Sequence, residues 1–141
     1  MTPEERLERY ARLVVEVGSN VGEGQVVWVI ALPEHAPFAR AVARVAYENG
    51  ASYVDVDYAD QHVRRARIEL AAEDTLGWTP PWTLAKVDHV MAERGALIQI
   101  VGDPEPELLA DLDGSRVGKT RMKELAERYV KALNERLINW T

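Results

Sequence analysis

The sequence predicts a three-layer α/β fold, a mostly parallel sheet with helices on both faces. Three observations point there. Residues 25–32 (QVVWVIAL) are apolar at nearly every position and rich in β-branched side chains, the habit of a strand buried on both faces. Amphipathic stretches with three- and four-residue spacing stand before and after this run. The order strand–helix–strand across residues 25–58 then joins its two strands through a helix, which implies a right-handed parallel crossover.

The elements follow in order. Residues 3–18 read as a helix with Leu7, Tyr10, Ala11, Val14, Val15 and Gly18 inward and Glu4, Glu5, Glu8, Arg9 and Arg12 outward. Thr2 is placed as its N-cap, with Pro3 at the first helical position and Glu5 closing a capping box. Residues 20–24 (NVGEG) turn the chain into the strand at 25–32, and Pro33 ends that strand. A second helix buries Phe38, Ala41, Val42 and Val45 and stops at Asn49-Gly50, where glycine suits a left-handed C′ position. Residues 52–58 (SYVDVDY) form the next strand, and Asp60 caps a helix over 61–72 that carries Arg64, Arg65 and Arg67. Two adjacent prolines and a glycine make 74–82 (DTLGWTPPW) a loop. Helix returns over 83–94, and 95–101 (GALIQIV) is a third buried strand. Turn residues over 102–114 enclose a short helical piece around Leu108, Leu109 and Leu112, and a long helix runs from Arg116 to about Leu137. At least three parallel strands result. Ile138-Asn139-Trp140-Thr141 has the composition of a fourth strand just beginning, so the sheet is read as incomplete and the chain as cut there.

Composition removes several function classes. The chain has 141 residues, 17 basic against 23 acidic, a net charge of −6 and no cysteine. Thiolate zinc sites, disulfide scaffolds and cysteine nucleophiles are therefore excluded. The longest apolar run, residues 26–33, is far short of the ~20 residues of a membrane span. The charged start MTPEER has no apolar core of a signal peptide, so a cytoplasmic protein is expected. The acidic balance argues against a nucleic-acid surface. The one basic segment lies between Arg116 and Arg136, where seven cations meet three carboxylates; it carries no binding signature and reads as an interdomain or solvated helix.

Four patterns could carry chemistry. DGSRVGKT at 113–120 approaches a phosphate-binding loop, but that loop requires G-x-x-x-x-G-K-[ST] after a strand. The position five before Gly118 is Asp113, and the preceding segment is helical, so a helix cap at Asp113 is the better reading. His35, His62 and His89 fall on different elements with no metal-ligand spacing, which leaves them surface or capping side chains. Asp55 and Asp57 alternate along one strand, either as a carboxylate pair at the mouth of the sheet or as the solvated face of an outer strand; the second is preferred. Trp78, Pro80, Pro81 and Trp82 combine two of the four tryptophans with rigid prolines, suited to an interdomain contact or a cavity rim, or else to a plug on the domain itself.

The order of these segments resembles the N-terminal domain of the thermophilic metalloaminopeptidases, the aminopeptidase T, aminopeptidase S and leucyl aminopeptidase family. The resemblance covers nearly the whole chain and rests on Gly24-Gln25-Val26-Val27, Asn49-Gly50-Ala51, Pro80-Pro81-Trp82 and Asn139-Trp140-Thr141 in that order. It implies a cytoplasmic homodimer that removes N-terminal residues from peptides with two divalent metal ions (Zn, Co or Mg). Paired metals polarise a scissile carbonyl and acidify a bridging water. It also implies that the ligands lie in a C-terminal catalytic domain that residues 1–141 do not include. No metal ligand transfers onto this sequence, no cofactor is expected in it, and the chain alone is expected to be inactive. The competing expectation is a self-sufficient α/β module without enzymatic activity, binding a small anion at the strand ends near Glu34-His35 or Asp103. A nucleotide at Gly118-Lys119-Thr120 is the third.

Overall fold

The computed structural model describes residues 1–135 and 139–140. Helix α1 (Pro3–Arg12) starts from the expected capping box: Thr2 Oγ1 accepts from the Glu5 amide at 3.1 Å and Glu5 Oε2 accepts from the Thr2 amide at 2.7 Å. Leu13–Gly18 continues it as a wider π-helical turn, closed by the Ser19 amide on the Val14 carbonyl at 2.8 Å. Strand β1 (Val26–Ala31) follows, then a short 3₁₀ turn at Pro33–His35 and helix α2 (Ala36–Glu48). Gly50 takes φ +92°, the left-handed conformation expected after α2. Strand β2 (Tyr53–Tyr58) leads to helix α3 (Gln61–Leu70), capped by Asp60 Oδ1 on the His62 amide at 2.9 Å.

A 3₁₀ turn at Glu73–Thr75 and an extended stretch reach helix α4 (Pro81–Ala92), followed by strand β3 (Ala96–Gln99). Helices α5 (Gly114–Lys119) and α6 (Lys123–Asn134) then precede strand β4 (Asn139–Trp140). The four strands form one sheet in the order β2-β1-β3-β4, every pair parallel. Val29 pairs with Val56 on one side and Ile98 on the other, so β1 is central, as its unbroken apolar run predicts.

The two-residue alternation of β1 divides the core between the faces. Val27, Val29 and Ala31 pack with Ala11 and Val15 of the first helix and with Ala39, Val42 and Val45 of α2. Trp28 packs the other way, with Val87 and Val90 of α4, Leu97 of β3 and Ala132 of α6. Helices therefore cover both faces, and the predicted three-layer class is the observed one. The outer edge at β2 is partly closed: the Val54 amide donates to the Tyr47 hydroxyl at 3.0 Å.

Three expectations need correction. The helix predicted from Arg116 is two helices, because the Thr120 hydroxyl donates back to the Val117 carbonyl at 2.6 Å and Met122 turns to ψ 87°. Its predicted end at Arg136 and Leu137, with Ile138 and Thr141 beyond, lies outside the described residues. The piece around Leu108, Leu109 and Leu112 is a series of turns with three-residue closures rather than a helix. Pro81 and Trp82, expected in a loop, are the first residues of α4; Pro81 fits there because its fixed φ is helical and no amide is needed.

Candidate functional site

The extended segment between the 3₁₀ turn and α4, and the elements that lead into it, are held by three cationic side chains. One Arg67 guanidinium nitrogen, on α3, donates to the carbonyls of Thr75 at 3.1 Å, Leu76 at 3.0 Å and Trp78 at 3.2 Å. The Leu76 side chain is fully buried beneath them. Arg116 of α5 donates Nε to the Ile68 carbonyl at 2.7 Å and a second nitrogen to the Ala71 carbonyl at 2.6 Å, satisfying the end of α3. Lys119 of α5 pairs with Glu73 in the 3₁₀ turn, and this hydrogen bond holds the Glu73 carboxyl below its ordinary pKa. Arg67 thus fixes the segment that carries Trp78 directly, while Arg116 and Lys119 fix the helix end and the turn that precede it.

On that frame the tryptophans stand out into solvent. Trp78 is 54% exposed and Trp82 68%, their rings meeting edge to face with centroids 5.6 Å apart. They are not a plug in their own domain. Trp78, Thr79 and Pro81 form one wall of an open groove of about 830 Å³; Ser115, Gly118 and Lys119 of α5 and Arg121, Lys123 and Glu124 at the start of α6 form the other. The structure therefore brings together two patterns that the sequence keeps more than thirty residues apart, the TPPW segment and the GSRVGKT segment. Lys119 is committed to Glu73, whereas Arg121 and Lys123 make no ion pair among the described residues.

The other marked residues do not converge on chemistry. Asp113 caps α5, its Oδ1 accepting from the Ser115 amide at 2.8 Å, and turns rather than a strand precede it, so the nucleotide expectation fails. Asp55 and Asp57 lie on the edge strand, and both bind Lys86 Nζ, at 2.8 and 2.5 Å. Asp57 also accepts from Trp28 Nε1 at 2.8 Å, and the Lys86 ammonium sits 4.7 Å from the Trp28 ring centroid. Burial works against the Lys86 charge, but the hydrogen bonds to Asp55 and Asp57 outweigh it and leave the ammonium above its ordinary pKa. Burial, with the Asp57 charge adding to it, pushes the nearby Tyr129 phenol up to about 12. This is a structural cluster tying β2 to α4.

The histidines stay apart. His62 Nε2 lies 2.5 Å from Glu105 Oε2, and His89 is exposed on α4. His35 stands at the N-cap position of α2 without capping it: its ring lies where a Cβ on Gly102 would come within 3.2 Å, and its Nδ1 is buried with no hydrogen-bond partner among the described residues. The cleft at the strand ends measures about 10 Å³, the space of a single water, and Glu34, Asp60, Asp103 and Glu105 line it. Its size and charge both contradict an anion site there. Among the described residues no group of three or more His, Asp or Glu side chains is placed to hold a metal ion.

Arg67, Arg116 and Lys86 are the residues that sequence reasoning missed. Two of them bind backbone carbonyls and leave no pairing pattern in the sequence. The third meets its carboxylates across about thirty residues.

A model of the thermophilic metalloprotease family matches residues 3–141. The chain belongs to the thermophilic metalloprotease (M29) family. Among relatives, aminopeptidase T of Thermus thermophilus is 35% identical over 138 residues, 96% of this chain and 33% of its own length. Aminopeptidase AmpS of Bacillus subtilis is 34% identical over 140 residues, 97% of this chain and 34% of its own. The solved structure of wild-type AmpT from Thermus thermophilus superposes with a TM-score of 0.90 at 32% identity, over 99% of this chain and 36% of that one. The chain thus spans about a third of the length of the relatives it matches. No described helix is long and apolar enough to cross a membrane.

Proposed function

We propose that this chain is the N-terminal α/β domain of a metal-dependent aminopeptidase that removes N-terminal residues from peptides. One observation carries the proposal: a metalloprotease-family match runs along residues 3–141, and over that match the chain spans only about a third of the length of the aminopeptidases it resembles. The two divalent ions, Zn, Co or Mg, would belong to the part of the enzyme outside residues 1–141, in a separate catalytic domain. The role of this domain is architectural. Trp78, Pro80, Pro81 and Trp82 provide the interdomain or dimer contact and shape access to the active site of a cytoplasmic homodimer.

What supports the contact is the exposure of two tryptophans on a segment immobilised by Arg67, since rigid exposed aromatics are the residues that anchor protein interfaces. The test compares residues 1–141 with the longer gene product on aminoacyl-p-nitroanilides in the presence of Zn²⁺ or Co²⁺. The longer product hydrolyses them and the 141-residue chain does not. Metal-dependent cleavage by the short chain would place catalysis within it and overturn the proposal.

A further inference from the structure

The end of α2 makes two demands, and the two residue types that meet them form a chemically weak junction. Gly50 sits at φ +92°, and a Cβ there would lie 3.0 Å from the Glu23 Cα, so the position requires glycine. Asn49 is the C-cap residue. Its side-chain Nδ2 donates to the Val45 carbonyl at 2.9 Å and to Glu16 Oε1 in the π-helical turn at 3.3 Å. Asparagine is a thermolabile residue, and a following glycine exposes its side chain to attack, because no Cβ hinders the approach of the next backbone nitrogen.

We propose that Asn49-Gly50 is a deamidation site that the folded end of α2 keeps closed, and that its conversion loosens the junction between the first helix and α2. The reaction needs only water. The Gly50 nitrogen loses its proton and attacks Asn49 Cγ, the Cγ–Nδ2 bond breaks, and ammonia leaves. Water then opens the five-membered imide at either carbonyl, giving aspartate or isoaspartate. In the fold each participant is held elsewhere. The Gly50 amide donates to the Tyr47 carbonyl at 3.0 Å, the Gly50 carbonyl accepts from the Gly24 amide at 2.8 Å, and the Ala51 amide closes on the Ala46 carbonyl at 3.0 Å. The leaving nitrogen is the one fixed by Val45 and Glu16. A ψ of 8° at Asn49 also turns the Gly50 nitrogen away from the Cβ it must eclipse to close the ring. Cyclisation therefore waits on local opening of the helix end.

The same contacts determine what conversion does. In aspartate an acceptor oxygen replaces the Nδ2 donor and faces the Val45 carbonyl, at the negative end of α2, and the Glu16 carboxylate. Arg12, which already serves Glu8, Glu16 and Glu48 at 2.7 to 3.4 Å, then has a further carboxylate to balance.

Peptide mapping of the longer gene product tests the site. The protein is held at mildly alkaline pH, native or unfolded in urea, beside a synthetic peptide of residues 45–54, and mass spectrometry follows the fragment that spans Asn49-Gly50. Conversion in urea is expected to match the free peptide, and in the native protein to be at least about tenfold slower, because only the locally opened fraction reacts. Asn49→Ser abolishes the product in both. Equal rates in the native and unfolded protein, or no conversion in urea, would overturn the proposal. Thermal melting reads the consequence: Asn49→Asp is expected to melt below Asn49→Ser, which keeps a hydroxyl donor and adds no charge. An Asn49→Asp protein that melts with or above Asn49→Ser overturns the loosening.

Discussion

Replacing Arg67 by Met isolates what holds the tryptophan segment in place. The substitution keeps an apolar stem of similar length and removes one guanidinium that serves three carbonyls, of Thr75, Leu76 and Trp78, at 3.0 to 3.2 Å. The three acceptors share the two hydrogens of a single nitrogen, so they amount to about two full bonds. Hydrogen bonds from charged donors contribute ~1.5–3 kcal/mol each at best, and Arg67 is partly exposed, which reduces the figure to about 2 kcal/mol in total. With an unfolding entropy of ~2.1 cal/mol/K per residue, that loss lowers the melting temperature of a chain this size by about 7 °C. Calorimetry reads the shift, and hydrogen exchange of the peptide over residues 73–80 shows whether the loosening is local. Arg67→Lys recovers less than half, because an ammonium cannot span three carbonyls. A melting temperature within 1 °C of the parent (~0.3 kcal/mol by the same conversion), with unchanged exchange over 73–80, would refute the claim that Arg67 preorganises the site.

Further perturbations follow from the same contacts. The Arg65 guanidinium holds Asp111 at 2.7 Å and, with a backbone hydrogen bond, lowers its pKa from 3.8 to about 2. Because the folded pKa lies below the unfolded one, this contribution is complete above about pH 4 and is lost as pH falls toward 2. Carboxyl-carbon NMR titration is expected to find Asp111 near 2 in the parent and higher in Arg65→Met, still below 3.8 because the backbone hydrogen bond remains. Tyr129, pushed up to about 12 by burial and then by Asp57, is expected to titrate late in ultraviolet absorbance. Its neutral form is favoured by folding, so stability falls as pH rises from 10 toward 12, and Asp57→Asn shifts the titration down without returning it to 10. Gly50→Ala forces a side chain into φ +92° and brings a Cβ within 3.0 Å of the Glu23 Cα. Thermal unfolding is expected to show a loss of about 1 kcal/mol or more, and an unchanged melting temperature would contradict that geometry.

The features legible in the sequence were those set by neighbours along the chain. The Thr2–Glu5 capping box, the Asp60 and Asp113 caps, the left-handed Gly50 and the two-sided burial of β1 all depend on spacing of a few residues. The break at Thr120 was not legible, because Gly118 and Thr120 are tolerated in a helix until the Thr120 hydroxyl turns back on Val117. The tryptophan segment was visible as composition, but its opposite wall was not. The GSRVGKT stretch looked like a failed phosphate loop until the fold set its lysine and the arginine and lysine after it across from Trp78. Arg67 and Arg116 left no trace, since their partners are carbonyls that only tertiary packing brings within reach.

The central claim is that residues 1–141 form an architectural part of a metallopeptidase and hold none of its metal. Equilibrium dialysis against Zn²⁺ and Co²⁺, followed by elemental analysis, measures this directly on the 141-residue chain and the longer gene product side by side. Two ions are expected per longer chain and none in residues 1–141; stoichiometric, saturable retention of either metal by the short chain would contradict an architectural role.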